Sequence, residues 1–247
     1  MNVLARLVEA AARRLEPERR ERLFRRLRRL RRPARLGSLR RTAPLSESWG
    51  FDRGTPIDRY YIEGFLERHA ADIHGTVLEV ANAAYTRRFG RGVERSDVLD
   101  IKNDNAEATI VADLSRAHGV PGEQFDCFIL TQTLQLIYDV DAAVRHAHRL
   151  LRPGGVLLVT VPVISRLVPR YGLESDFWRF TPASCRRVFG DVFGDDVEVS
   201  SFGNALAAIG FLAGLAHEEL RRAELDARHD DYPLIVGVRA VKSGVPA

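Results

Sequence analysis

The chain has 247 residues, 45% of them apolar and 28% charged, the composition of a folded globular protein and not of a disordered, collagen-like or coiled-coil chain. No run of 18 uncharged apolar residues occurs, and the longest weakly polar stretch, Ala205–Ala216, is too short to span a bilayer, so no transmembrane segment is expected. The formal charge of +4 hides an asymmetry: residues 1–44 hold fifteen Arg against four Glu, a net of +11, while the rest holds 22 basic and 29 acidic side chains, a net of −7.

In chain order, Met1–Leu30 reads as helical, with Leu4, Leu7, Val8, Ala11 and Leu15 at three- and four-residue steps. Leu23, Phe24, Leu27 and Leu30 repeat the pattern after Pro17, which suits the first turn of a second helix. Pro33 and the stretch Gly37–Pro44 read as linker, so residues 1–44 form a basic helical arm and residues 45–247 the body. Such an arm can dock on its own protein, lie on an anionic membrane surface through residues 1–36, or bind nucleic acid. Its few aromatics weigh against the last. The apolar residues are interleaved with Arg, not gathered into one block, so a secretory signal is not expected and the protein is assigned to the cytoplasm, peripheral to the membrane if the arm binds lipid. Cys127 and Cys185 cannot form a disulfide framework or a Cys-rich zinc site and read as small core residues.

The body alternates strand and helix. Strands are expected at Thr76–Val80, Val93–Leu99, Ala108–Ala112, Phe125–Thr131, Val156–Val161, Val197–Ser201 and Pro233–Val241. Helices are expected at Pro56–Ala71, Val140–Leu151, Pro182–Phe189 and Asn204–Ala227. Short apolar strands separated by helices imply a doubly wound α/β fold with a parallel sheet covered on both faces. Such sheets bind ligands at the carboxyl ends of their strands. There the sequence places Glu79, then Asp100 twenty-one residues on, then Asp113, and after the fourth strand Thr131-Gln132-Thr133. A carboxylate some 20 residues beyond the first strand suits a ribose diol, because it accepts two hydroxyl hydrogen bonds. Each acid taken singly also suits helix capping. His118, His146 and His148 read as structural, and no spacing of ligands suggests a metal.

Over Trp49–Lys242 the sequence resembles the class I S-adenosylmethionine-dependent methyltransferases. Val77-Leu78-Glu79-Val80 resembles the first motif, Ala112-Asp113-Leu114 the adenine-side motif, and Phe125–Leu130 the fourth strand. Leu150–Pro162, with Pro153-Gly154-Gly155, resembles the fifth strand and is the most specific segment. Arg53–Glu63, Leu130–Asp139 and Asp176–Thr181 are similar to a bacterial subgroup, akin to methyltransferase type 11, found beside glycosyltransferases. The resemblance implies a Rossmann-like sheet, S-adenosyl-L-methionine as cofactor and a small-molecule or glycan hydroxyl as methyl acceptor. It places the cofactor on Glu79, Ala81, Asn82, Asp100, Asp113, Leu114 and Gln132, with Arg59 and Tyr60 on a lidding helix. Because Glu174–Thr181 follows the fifth strand, it is expected over the mouth of the sheet, where Trp178 offers an apolar face to a sugar ring, Arg179 and Asp176 can bond its hydroxyls, and Asp176 is the candidate general base of the catalytic step. Where the family's first loop reads Glu-x-Gly-x-Gly-x-Gly, this chain reads Glu79-Val80-Ala81-Asn82-Ala83-Ala84-Tyr85. Either Ala81 and Ala83 are small enough and Asn82 takes the positive φ, or the cofactor pocket is lost and the protein is a non-catalytic scaffold. A nucleic-acid methyltransferase using the arm is the other alternative, and the acidic body weighs against it.

Overall fold

A computed structural model describes residues 15–31, 37–168 and 173–244. It divides into two units, Met1–Ala43 and Pro44–Ala247. In the first, helix α1 (Pro17–Arg31) starts on the proline anticipated for its first turn, where the missing N–H is no loss. Arg22 and Arg25 pair with Glu18 and Glu21 one turn earlier, and Leu30 is exposed. The helix expected over residues 1–14 lies outside the described residues.

The second unit is a seven-stranded sheet in the order β3-β2-β1-β4-β5-β7-β6. The strands are β1 (Gly75–Val80), β2 (Val93–Asp100), β3 (Ile110–Val111), β4 (Phe125–Thr131), β5 (Leu151–Pro162), β6 (Val197–Phe202) and β7 (Ile235–Val241). The helices are α2 (Ile57–Arg68), α3 (Ala84–Phe89), α4 (Val140–Leu150), α5 (Pro182–Phe193), α6 (Ala205–Ala213) and α7 (Arg222–Asp226). β1 to β5 pair in parallel, and β7 enters antiparallel between β5 and β6. The strict parallel sheet expected from sequence therefore holds except at β7.

Alternation along each strand sorts side chains to two faces. Leu78, Phe128, Leu130, Leu157 and Val159 meet α4 and α5. Val77, Cys127, Ile129 and Leu158 meet α2 and α6. Both cysteines are free and buried, and burial pushes the Cys185 thiol up to about 12.

Three elements depart from the sequence reading. The third strand shrinks to Ile110–Val111. Helix α3, absent from the expectation, follows the first loop, because Glu79 supplies its amino-terminal cap from the preceding strand. The helix expected over Asn204–Ala227 ends at Ala213. Gly214 adopts φ 77°, and a Cβ there would lie 2.4 Å from the Ser46 carbonyl oxygen, so the backbone turns where only glycine fits.

Candidate active site

The carboxyl edge of β1, β2 and β4 is built around the first loop. Glu79 is almost fully buried, and its carboxylate accepts from Tyr85 N–H at 3.0 Å, Thr86 N–H at 2.7 Å and the Thr86 hydroxyl at 2.7 Å. Burial raises its pKa, opposed by those same donors. Three of the roughly four lone-pair sites of Glu79 are thus spent on capping α3, a role beside the one the sequence assigns it at the cofactor. The positive-φ position is corrected, since Ala81 takes φ 68° and Asn82 does not. Asn82 instead accepts the Ala84 N–H on its side-chain oxygen, while Ala83 is buried. Ala81 and Asn82 are both exposed on the loop.

Next to this loop stands a residue that sequence reading passed over. Asn105 donates through Nδ2 to the Ala81 carbonyl at 2.7 Å and to Asp100 Oδ2 at 2.6 Å, tying the β1 loop to the end of β2. Asp100 Oδ1 also accepts the Lys102 N–H. A carboxylate has about four lone-pair sites, so these two bonds leave capacity for a diol. Asp113 Oδ1 accepts the Ser115 N–H and hydroxyl, which orients it at the start of a 3-10 turn. Leu114 is buried in the core at the start of the same turn.

Past β4 the chain reverses at Gln132, with φ 47° and its N–H on the Thr160 carbonyl at 2.7 Å. Gln132 Nε2 is enclosed and has no partner. Neither have Thr160 Oγ1, one strand over, or Oε1 of the buried Gln135. Gln135 Nε2 holds the Gln132 carbonyl, and the Gln135 carbonyl receives the N–H groups of Phe177 and Trp178. The segment that carries Trp178 is thereby pinned to the carboxyl edge.

Helix α2 runs directly into β1 through a short turn, which puts its first turn at the same edge. Arg59 donates to the Tyr85 hydroxyl at 2.8 Å, so the lidding helix does touch the first loop's helix. Burial works against the Arg59 charge, but Asp58 and Tyr85 outweigh it. Tyr60 is a correction: it faces the other way, donating to Asp226 on α7. It lines an open cleft of about 880 Å³ along the outer side of α2, with Glu63, Glu67, Arg88 and Arg228. None of the strand-end candidates lines that cleft.

Asp176, the candidate general base, is already engaged within its own loop. Its side chain has no exposed surface, and its oxygens accept two hydrogen bonds from Arg179 and one from Val168 N–H. Burial alone would raise its pKa, but Arg179 and Val168 N–H outweigh that and hold the carboxyl below its ordinary value. Arg179 also donates to the Trp178 and Arg166 carbonyls, so most of its donors serve the loop. Trp178 remains 39% exposed, anchored through Nε1 to the Ile137 and Tyr138 carbonyls and stacked on Tyr138 at 5.8 Å. Tyr138 and Phe177, both exposed, complete an aromatic surface that sequence reading assembled only in part.

Native folds leave few enclosed polar atoms without partners. Six occur among the described side chains, and five of them, on Asp58, Gln132, Gln135, Thr160 and Arg166, belong to segments at the carboxyl edge. Both donors and acceptors are among them, as a ligand carrying an amino-acid group, a ribose and a purine requires. The residues present therefore fit S-adenosylmethionine. Among the described residues no group of three or more His, Cys, Asp or Glu could hold a metal.

Residues 61–159 match a family model described as a methyltransferase domain. No curated protein matches the sequence. Among solved structures, an Archaeoglobus fulgidus S-adenosylmethionine-dependent methyltransferase is 13% identical, with a TM-score of 0.50 over 74% of this chain and 94% of that one. A Haemonchus contortus phosphoethanolamine N-methyltransferase, solved with S-adenosylhomocysteine, is 16% identical, with a TM-score of 0.50 over 74% of this chain and 52% of that one. The [4+2]-cyclase SpnF is 14% identical, with a TM-score of 0.51 over 77% of this chain and 84% of that one. The sheet has the Rossmann-like fold of these methyltransferases and residues 61–159 match a methyltransferase domain, which together support an enzyme that takes S-adenosylmethionine as cofactor.

Proposed function

We propose that the protein methylates a hydroxyl group of a sugar, glycan or other small molecule. The observation that carries the reading is the gathering of partnerless enclosed polar atoms at the carboxyl edge of the sheet, the edge whose β2 and β3 ends lead to Asp100 and Asp113. In this reading Asp100 binds the ribose hydroxyls, the backbone at Asp113 and Leu114 meets the adenine, and the exposed loop at Ala81 and Asn82 lies along the cofactor. Gln132 reaches the cofactor's carboxylate or the acceptor through its free Nε2. When bound, the sulfonium supplies an activated methyl group. The protein's own work is to hold acceptor, methyl and sulfur in line, a positioning effect worth about 7–11 kcal/mol of the barrier.

The rings of Tyr138, Phe177 and Trp178 support a sugar acceptor, because they offer apolar faces to a pyranose's C–H groups where its hydroxyls stay wet. The likeness to glycosyltransferase-associated sequences in Asp176–Thr181 points the same way. The basic arm belongs to this reading as a means of location, at an anionic cytoplasmic membrane surface. Calorimetry with S-adenosylhomocysteine followed by methyl-transfer assays on a panel of sugars tests the proposal. Cofactor binding with transfer to a sugar hydroxyl is expected; transfer to none of the panel sinks the acceptor class. No binding at millimolar ligand favours the non-catalytic scaffold instead.

A further inference from the structure

Glu79 spends three of its roughly four lone-pair sites on α3, which leaves little of it for the positive end of the cofactor's amino-acid group. The structure holds another acid in position. Asp58 lies in the first turn of α2, on the stripe that carries Tyr61, Ile62 and Phe65 against the sheet. Because α2 leads into β1, that turn stands at the carboxyl edge. Its neighbour Arg59 bonds Tyr85 of α3, so this turn of α2 lies against the helix that follows the first loop. Asp58 Oδ1 is enclosed and accepts no hydrogen bond. A carboxylate oxygen taken out of water without a donor is costly, and folds keep such a group where a cation answers it.

Resting on the cofactor reading above, we propose that Asp58 is the residue that receives the ammonium group of S-adenosylmethionine. A compact ammonium brings three donors and a full positive charge, which match an enclosed anionic acceptor in both sign and geometry. Burial raises the Asp58 pKa, and the neighbouring Arg59 charge and two backbone N–H groups oppose that rise without cancelling it. Asp58 is then a binding residue that leaves the ligand-free fold less stable than it might be, in exchange for recognition of the amino-acid end.

The test pairs a residue change with a ligand change. The ligands are S-adenosylhomocysteine and its desamino analogue, titrated into the full chain, Asp58→Asn and Asp58→Ala. The unaltered protein should prefer the amino ligand by about 10- to 100-fold, the range of a charge-assisted bond. Both variants should bind the two ligands alike, with the amino ligand weakened to the level of the analogue. The ligand-free melting temperature of Asp58→Asn should hold or rise, which a merely structural acid would not allow. A variant that keeps the preference of the unaltered protein, or an unaltered protein that shows none, overturns the proposal. An unaltered protein that binds neither ligand overturns the cofactor reading itself, a result distinct from either.

Discussion

Ala81 sits at φ 68°, a left-handed position that costs an L-residue about 1–2 kcal/mol and glycine almost nothing. Its N–H on the Leu99 carbonyl and its carbonyl on Asn105 hold it there. Ala81→Gly should therefore raise the unfolding free energy by about 1 kcal/mol in denaturant titration; a loss of stability would show that the loop is unstrained. Asp176 tells the opposite story, of an acid satisfied by its neighbours. Its folded pKa lies below the unfolded value, so its contribution to stability is complete above about pH 4 and is lost as pH falls through the folded value. Asp176→Asn should lower stability at neutral pH by about 2 kcal/mol and flatten the acid limb of the stability curve. Methyl transfer should not drop by the roughly 10²- to 10⁴-fold that loss of a general base produces. A drop of that size in a folded variant would restore Asp176 to the chemistry.

At the scale of elements, the first loop and α3 are one device. Three donors of α3 converge on Glu79, and the loop between them is fixed at both ends. Glu79→Gln puts an amide N–H₂ against at least one of those donors and removes the charge that favours a helix start. It should cost about 1–2 kcal/mol of stability, and cofactor affinity should fall only as the loop loosens; a stable variant with abolished affinity would return Glu79 to direct contact. Asn105 links the same loop to β2. Asn105→Ala should weaken S-adenosylhomocysteine about tenfold, one to two lost hydrogen bonds, while the melting temperature changes little. Unchanged affinity would mean that the loop holds its shape without the clamp.

Across the whole molecule, the two units carry opposite net charge, and both apolar core clusters lie in the second. Deleting Met1–Leu36 should leave affinity for S-adenosylhomocysteine within about twofold and the body's melting temperature in place. Loss of binding in a chain that still folds would make the arm part of the pocket. The full chain should sediment with anionic vesicles, and less so as salt rises above about 0.15 M, while the truncated chain should not. Equal sedimentation of both would remove the arm from membrane contact. The fold itself tolerates other chemistry, as the cyclase with the same architecture shows, so the acceptor must be settled from the site and not from the sheet.

Most strand and helix positions were legible in the sequence because short apolar runs and three-to-four-residue periods are local; the strand order, and the sorting of Val77, Ile129 and Leu158 to one face and Leu78, Leu130 and Val159 to the other, came only with the fold. The places of Asp100 and Asp113 were legible for the same reason, since strand ends follow from strand lengths. Which acid was free was not legible. Glu79 and Asp176 carry the right chemistry at the right positions, but donors from α3 and from Arg179 claim them, and those donors arrive only when the chain is folded. The reversed β7, the clamp from Asn105 and the Tyr138–Phe177–Trp178 surface likewise depend on residues far apart in sequence. Sequence determined where polar groups could gather; only tertiary structure decided which of them were already satisfied, because a hydrogen bond is made between groups that the fold, and not the chain, brings within 3 Å or so.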